Sequence, residues 1–489
     1  MEYEAVIGLE VHAQLKTRSK IFCSCPTDFG AEPNQQVCPV CLGMPGVLPV
    51  LNKKVVEYGI KCGIALNCEV ASITKFDRKN YFYADLPKAY QISQYDQAIC
   101  NHGHLVINGR KIRILRAHLE EDAGKLVHAG AAGLHGSDYS LVDFNRSGVP
   151  LLEIVSEPDL RTPEEARDYL TEMRTILRYL DVCDGNLEEG SFRCDANVSI
   201  RPKGEEKLGT KAEIKNMNSF KAVQRAIQSE IERQTDVLRS GGRVVQESRL
   251  WNEATQSTFP MRSKEEAHDY RYFPEPDLVP LSISREWVQE LTKTLPELPD
   301  ARRNRYTSEC GLSAEDASIL VENIELAGFY DEALRLGASA KATANLLLGP
   351  TMGYLNESRR ELAKTLLSAQ NLKDIVENVA SGLLNTSTGK QILLDILGLA
   401  ETDVAVDVTQ YIQSKGLAQV SDPGALRATV ETVLAQNPKQ LADYCAGKVK
   451  IRGFFFGEVM KALKGKANTE LVNAILDENL KAAADNATK

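Results

Sequence analysis

The sequence predicts an α+β protein: an N-terminal cradle domain on an antiparallel sheet, then an all-α helical domain, then a small helical tail domain. Three observations carry this. Apolar and polar residues alternate with period two in stretches up to about residue 290, broken by Gly, Pro and Asn turns. Beyond that point apolar residues recur every three or four positions, as helices require. Between the two regimes lies Leu295-Pro296-Glu297-Leu298-Pro299, whose prolines fit neither a helix interior nor a central strand. A chain of 489 residues needs more than one core, and the expected bounds are 1–294, 295–407 and 408–489.

Taken in order, residues 5–15 form the first strand. Ala5, Ile7, Leu9, Val11, Ala13 and Leu15 share one face, and Val6, Gly8, Glu10, His12 and Gln14 share the other. Thr162-Pro163-Glu164-Glu165 reads as a helix start with an N-cap, a Pro at the first turn and a capping-box Glu. Its buried stripe is Ala166, Leu170, Met173, Leu177 and Leu180. Alternation returns at residues 192–201, where Arg193, Asp195, Asn197, Ser199 and Arg201 face away from Phe192, Cys194, Ala196, Val198 and Ile200. Lys211, Glu213 and Lys215 alternate likewise with Ala212 and Ile214. A second helix is expected over roughly 220–239, with Val223, Ile227, Ile231 and Leu238 inward and Gly241-Gly242 as its stop. The later helices are joined by turns such as Asp422-Pro423-Gly424 and Asn437-Pro438.

Composition narrows the class. Hydrophobic residues are 43% and charged residues 26%, without a run long enough to span a membrane. The acidic start Met1-Glu2-Tyr3-Glu4 lacks a signal-peptide pattern, so a cytoplasmic protein without membrane partners is expected. The net charge of −9 argues against generic nucleic-acid binding. Residues 408–489, however, carry 11 basic and 8 acidic side chains, a local +3. Eleven cysteines, an odd number, do not read as a secreted disulfide framework.

The polar positions of the strands hold Glu, His, Asp, Asn and Arg where a merely solvated sheet would hold Thr. Glu120-Glu121-Asp122 and Glu188-Glu189 add acid clusters. Glu153 interrupts the apolar Leu151-Leu152-Glu153-Ile154-Val155 and should be paired, protonated or metal-bound. Carboxylates with an imidazole suit a hard cation such as Mg2+, which phosphoryl transfer requires. Arg78 and Lys79, in Phe76-Asp77-Arg78-Lys79-Asn80-Tyr81-Phe82-Tyr83, offer cations for phosphates, and aromatics such as Tyr81 could pack a base or sugar. A solvated strand and a surface turn account for the same residues, and neither Gly204–Lys211 nor Gly382–Lys390 is a proper P-loop.

Cys23-Ser24-Cys25 and, twelve residues on, Cys38-Pro39-Val40-Cys41 bring four thiols in two close pairs, as a structural Zn2+ site demands. Another thiophilic metal or unligated cysteines remain the alternatives. Cys62, Cys68, Cys100, Cys183, Cys194, Cys310 and Cys445 are expected as small buried residues. In the tail, Lys448, Lys450, Arg452, Lys461, Lys464 and Lys466 surround Phe454-Phe455-Phe456, a pattern suited to RNA phosphates and bases and equally to a helical core with solvated lysines.

On these residues the chain resembles the B subunits of the bacterial aspartyl/glutamyl-tRNA amidotransferases, over nearly its whole length. The strings that carry the resemblance are Val6-Ile7-Gly8-Leu9-Glu10-Val11-His12, Phe76 to Tyr83, His118-Leu119-Glu120-Glu121-Asp122-Ala123-Gly124-Lys125, Pro150 to Asp159, Glu189 to Asn197 and Asp269 to Asp277. The resemblance implies a glutamine synthetase-like cradle with ATP, Mg2+ and, in some members, structural Zn2+. It implies that the side-chain carboxylate of misacylated Glu-tRNA(Gln) or Asp-tRNA(Asn) is phosphorylated and then displaced by ammonia. The glutaminase (amidase) or A subunit would supply the ammonia, and the small C subunit would bridge the two, completing a heterotrimer. Carried over by position, Glu10, His12, Glu121 and Glu153 become the metal ligands, and Arg78, Lys79, Asp195 and Lys211 lie around the phosphates. Two further readings use the same residue types: a noncatalytic tRNA-binding scaffold and a metal-dependent phosphodiesterase.

Overall fold

The computed structural model describes residues 2–129, 139–261, 270–401, 403–419, 422–463 and 467–487. The chain divides into two compact units, 1–301 and 302–489. The division falls within a helix that begins directly after the Leu295–Leu298 coil, with Pro299 as its first residue.

The first unit is built on strands β1 Tyr3–Gln14, β2 Glu69–Val70, β3 Ile73–Thr74, β4 Asp77–Asn80, β5 Tyr90–Ser93, β6 Cys100–Ile107, β7 Arg110–Glu121, β8 Lys125–Ala129, β9 Tyr139–Asp143, β10 Pro150–Ser156, β11 Phe192–Pro202, β12 Ala212–Lys215, β13 Glu247–Asn252, β14 Ser257–Pro260, β15 Phe273–Pro274 and β16 Leu281–Ser282. Nine of them make the main sheet, in the order β14-β13-β12-β11-β1-β10-β7-β6-β2. Its pairs are antiparallel except β12 with β13. Thus β1 is central, and its alternation sorts the two faces. Ala5, Ile7, Leu9, Val11 and Ala13 enter the hydrophobic core with residues of helices α1 Lys53–Ala65, α2 Pro163–Tyr179 and α3 Phe220–Arg239. Glu10, His12 and Gln14 stand on the opposite face.

Local chemistry sets the helix ends. Thr162 caps α2 by accepting from the Glu165 N–H at 3.1 Å. The expected capping box closes differently: Glu165 Oε2 accepts from the Arg161 N–H, one residue before the cap, at 2.7 Å. Ala166, Leu170, Met173 and Leu177 are fully buried, as their spacing requires. In α3 the inward face departs from expectation. Glu230 and Gln234 are buried while Ile231 and Leu238 are only partly so, because the fold supplies polar partners there. Glu230 receives Arg233 at 2.6 and 2.9 Å, Gln234 at 2.8 Å and Thr258 at 3.0 Å. Gly241, at φ +77°, ends the helix in the left-handed region that glycine adopts without a Cβ clash.

The regular structure of the second unit is helical, from the remainder of the Pro299–Ser308 helix through Ala314–Glu322 to Thr469–Ala487. Asp422-Pro423 and Asn437-Pro438 act as helix starts, with Asp422 accepting from the Ala425 N–H at 2.7 Å. The last helices close a small core of Leu426, Val430, Phe455, Val459, Val472, Leu476 and Leu480. Among the described residues no helix is long and apolar enough to cross a membrane.

Candidate active site

Strand pairing assembles the site before any side chain is considered. On the polar face, β7, β10, β1 and β11 lie side by side, so that His118, Glu153, His12 and Arg193 stand in one row, each directly opposite the next. The neighbouring row is Arg116, Val155, Glu10 and Asp195. Glu120 lies two residues beyond His118, hence on the same face.

Donor atoms of His12, Glu120 and Glu153 lie within 4.8 Å of one another. Glu153 Oε2 is 3.3 Å from His12 Nε2 and 3.4 Å from His118 Nε2, and Glu120 Oε2 is 3.6 Å from His118 Nε2. The lone carboxylate of the apolar strand is therefore paired. Burial favours its neutral form, but the two imidazoles outweigh burial and hold Glu153 well below the usual carboxylate range. Burial likewise lowers both histidines, and Glu153 with Glu120 outweighs it, lifting His12 above its ordinary value and His118 to about 9. Glu10 stands beside this group and is raised by burial and by the charges of Glu153, Glu213 and Asp195; its carboxylate accepts from Asn197 Nδ2 at 2.8 Å. One imidazole and two carboxylates, with a third acid adjacent, form a donor set for a hard divalent cation.

Glu121 is not in this group. Ala117 and Leu119 face the core, so Glu121 follows them to that side, where its carboxylate takes Lys88 Nζ and the Ile92 N–H at 2.8 Å. Glu120 occupies the place expected for Glu121. The alternation of Ala117 and Leu119 with His118 and Glu120 was the signal that separates the two acids. Asp122, the third member of the cluster, is buried and held below its ordinary value: burial raises it, and Arg193 and Arg146 outweigh that. Arg193 Nη2 and Gln14 Nε2 each donate to it at 2.8 Å. Glu188 and Glu189 lie in an exposed turn.

A small sheet of β15, β4 and β5 carries the predicted cations. Arg78 binds Glu275 through both arms of its fork, at 2.7 and 2.8 Å, and Asp277 at 3.1 Å, while lying over Tyr90 at 4.4 Å. Its charge is thus neutralised by carboxylates. Lys79 lies over Tyr270 at 4.9 Å and Tyr81 at 5.9 Å, and no carboxylate among the described residues pairs with it. Tyr81, Tyr270 and Tyr272 form an edge-to-face series, and Tyr272 stacks on Tyr95 at 4.1 Å. Burial first, then the charge of nearby acids including Glu120, raises the Tyr81 and Tyr272 hydroxyls. Arg116, in the row beside the cluster, donates to Tyr95 O at 2.8 Å, and Tyr95 stacks on Tyr272.

Asp195 is bound by Lys215 Nζ at 2.5 Å, and the same ammonium reaches Glu213 at 2.9 Å. Lys211, expected around the phosphates, is exposed ahead of β12. Lys215, His118, Glu120, Arg193 and Asn197 are the site residues that the expected set lacked; each stands on the polar side of its strand's alternation.

The four cysteines do converge: the sulfurs of Cys23, Cys25, Cys38 and Cys41 lie within 4.8 Å of one another. Fully buried Lys20 donates to Gln36 O at 2.7 Å and sits 3.6 Å from Cys41 Sγ, which also accepts from the Cys38 N–H at 3.2 Å. The Cys41 thiol is pulled down to about 4 by a hydrogen bond from the Cys23 thiol, assisted by the Cys38 N–H and Lys20. Four thiolate-competent donors can close one tetrahedral ion, leaving no position for chemistry. Of the other cysteines, Cys62, Cys100, Cys183 and Cys194 are buried, and Cys68, Cys310 and Cys445 are partly exposed.

In the tail, Phe455 is core, Phe456 packs against it in part and Phe454 is exposed. Arg452 is bound to Asp477 at 2.5 and 2.9 Å, Lys448 to Asp443 at 2.9 Å, and Lys461 lies 3.6 Å from Glu458. Lys450 is exposed, and Lys464 and Lys466 lie outside the described residues.

Residues 5–289 match the family described as the GatB/GatE catalytic domain, and residues 328–480 match the GatB domain. The chain is 52% identical over 483 residues to the B subunit of the aspartyl/glutamyl-tRNA(Asn/Gln) amidotransferase of Carboxydothermus hydrogenoformans, covering 98% of this chain and 99% of that one. It is 52% identical over 485 residues to the protein of that name from Thermodesulfovibrio yellowstonii, covering 98% of this chain and 100% of the relative. The protein of that name from Moorella thermoacetica is 53% identical over 484 residues, with 98% and 100% covered.

Proposed function

The chain belongs to the GatB/GatE family, and we infer from that membership that it is the B subunit of a glutamine-dependent, tRNA-linked amidotransferase, a carbon–nitrogen ligase. In this reading it phosphorylates the side-chain carboxylate of misacylated Glu-tRNA(Gln) or Asp-tRNA(Asn) with ATP, and ammonia then displaces phosphate to leave the amide. Activation is necessary because a carboxylate resists a neutral amine until oxygen becomes a leaving group. Within that family reading, the observation that supports a phosphoryl-transfer site on this chain is the convergence of His12, Glu120 and Glu153, with Glu10 beside them, on one polar sheet face.

We assign Mg2+ to these four residues; bound there, the ion would neutralise charge developing on the transferred phosphoryl group. Lys79 has no carboxylate partner among the described residues and is the cation best placed to meet an incoming phosphate. Arg78 instead ties β4 to Glu275, so its role is to hold the Lys79 strand. Arg193 and Lys215 pair with Asp122 and Asp195. Tyr81, Tyr270 and Tyr272 offer flat apolar faces to a base or sugar. Zn2+ is assigned to Cys23, Cys25, Cys38 and Cys41 as a structural ion. Because an acyl phosphate hydrolyses in water, the chemistry favours a closed assembly with a glutaminase partner (the A subunit) and a small bridging partner (the C subunit), in which ammonia is delivered directly. We place that heterotrimer in the cytoplasm and assign the basic tail residues Lys448, Lys450, Arg452, Lys461 and Lys464 to tRNA.

The test is Glu10→Ala combined with His12→Ala in a complex reconstituted with the glutaminase and bridging partners. ATP-dependent conversion of Glu-tRNA(Gln) to Gln-tRNA(Gln) should fall by about 100-fold or more while glutamine hydrolysis continues. An undiminished rate would reject the catalytic assignment.

A further inference from the structure

At the end of β7 remote from the metal-type cluster lies a concavity of about 290 Å³, lined by Arg110, Lys111, Arg113, Asp159 and Arg161. Four cations around one carboxylate are unexpected in a chain of net charge −9. Arg113 is neutralised by Asp159 through a bidentate pair at 2.7 and 2.8 Å, and Arg110 reaches Glu165 at 2.8 Å. The other two form no ion pair among the described residues. Lys111 is exposed and has no carboxylate partner among the described residues. Among the described residues Arg161 donates to two backbone carbonyls, Pro158 O at 2.8 Å and Leu160 O at 3.0 Å. Burial, with the like charges of Arg201 and Arg110, outweighs the carboxylates of Glu4 and Asp159 and presses its guanidinium below its ordinary range, a state that an entering anion would relieve.

The position of the concavity gives this charge a direction. Ile112 and Ile114 are buried in the core, so Lys111 and Arg113 project from the opposite face; a bulge between Ile114 and Arg116 then returns Ala117 and Leu119 to the core side, so that His118 and Glu120 follow on the face of Lys111 and Arg113. Seven residues separate Arg113 from Glu120, roughly 23 Å of extended chain. A substrate whose reacting end lies at the cluster must lead its backbone away across this face, and a nucleic-acid strand presents a phosphate every 3.4 Å or so of helix axis.

We propose that the concavity formed by Arg110, Lys111, Arg113 and Arg161 is a docking site for backbone phosphates of the aminoacyl-tRNA substrate. It rests on the tRNA-amidotransferase reading and adds to it a contact outside the basic tail. Phosphate contacts of this kind position a substrate without reading its sequence. The site therefore serves Glu-tRNA(Gln) and Asp-tRNA(Asn) alike.

The experiment uses the reconstituted heterotrimer carrying Lys111→Ala, Lys111→Glu, Arg161→Gln or Arg161→Lys, with melting temperature recorded for each. The KM for Glu-tRNA(Gln) should rise several-fold in Lys111→Ala and further in Lys111→Glu. The KM for ATP and kcat should stay within about twofold, and the log–log salt slope should become shallower by about one per lost contact. Arg161→Lys should recover part of what Arg161→Gln loses. Unchanged tRNA KM and salt slope in Lys111→Glu would overturn the proposal, as would a loss confined to kcat. Impaired assembly of the heterotrimer at unchanged tRNA affinity would identify an acidic protein surface instead and equally reject it. Failure of the unmodified complex to amidate Glu-tRNA(Gln) would instead reject the underlying functional reading.

Discussion

Glu120 and Glu121 are neighbours in the chain and opposite in environment. Glu120 shares the polar face with His12 and Glu153, whereas Glu121 is buried on the other side against Lys88 and the Ile92 N–H. The two should fail differently. Glu120→Gln removes a charged donor from the proposed Mg2+ site, so the Mg2+ concentration for half-maximal ATP turnover should rise about tenfold or more with the melting temperature little changed. Glu121→Gln leaves a buried ammonium without its counter-charge and should cost roughly 3 kcal/mol in urea unfolding. Equal Mg2+ dependence in the two variants would reject this division of roles. The sequence alone held the information that distinguishes them, since Leu119 must face the core and side chains alternate. The resemblance, carried over by position, points to Glu121, whereas the alternation points to Glu120.

Elements decide which donors meet. The cysteine pairs were legible because thiols two and three residues apart can share one ion whatever the loop between them does. Buried Lys20 beside Cys41 was not legible, as only the folded loop brings an ammonium to that sulfur. Replacing Cys38 and Cys41 together by Ser should abolish stoichiometric metal in the purified protein and expose residues 23–41 to protease. The main sheet, whose pairing does not involve that loop, should retain its far-UV signal. Zinc still bound at one equivalent would remove the site assignment. Helix α3 shows the opposite lesson. Its end followed from Gly241-Gly242, but its inward face did not follow from hydrophobic periodicity, because Arg249 and Thr258 arrive from β13 and β14 to satisfy Glu230.

At the scale of the whole molecule, the acidic N-terminal unit and the mildly basic tail divide the proposed labour between chemistry and tRNA. Deleting residues 408–489, which contain the separate tail core, should weaken tRNA binding by about tenfold or more while ATP hydrolysis by the remaining complex changes little. Parallel loss of both activities would show that the tail is structural. The α+β character, the switch from sheet to helix near residue 290, the cysteine cluster and the facing of Glu10 and His12 are consequences of local rules: alternation, helical spacing, proline and thiol spacing. Strand order is not local. The register that sets His118, Glu153, His12 and Arg193 in one row joins segments that lie far apart in the chain, and no periodicity within a segment specifies its neighbour. The direction of each side chain on β1 was therefore determined by the sequence, while its partners, and so the site, were decided by the tertiary pairing of β7, β10, β1 and β11.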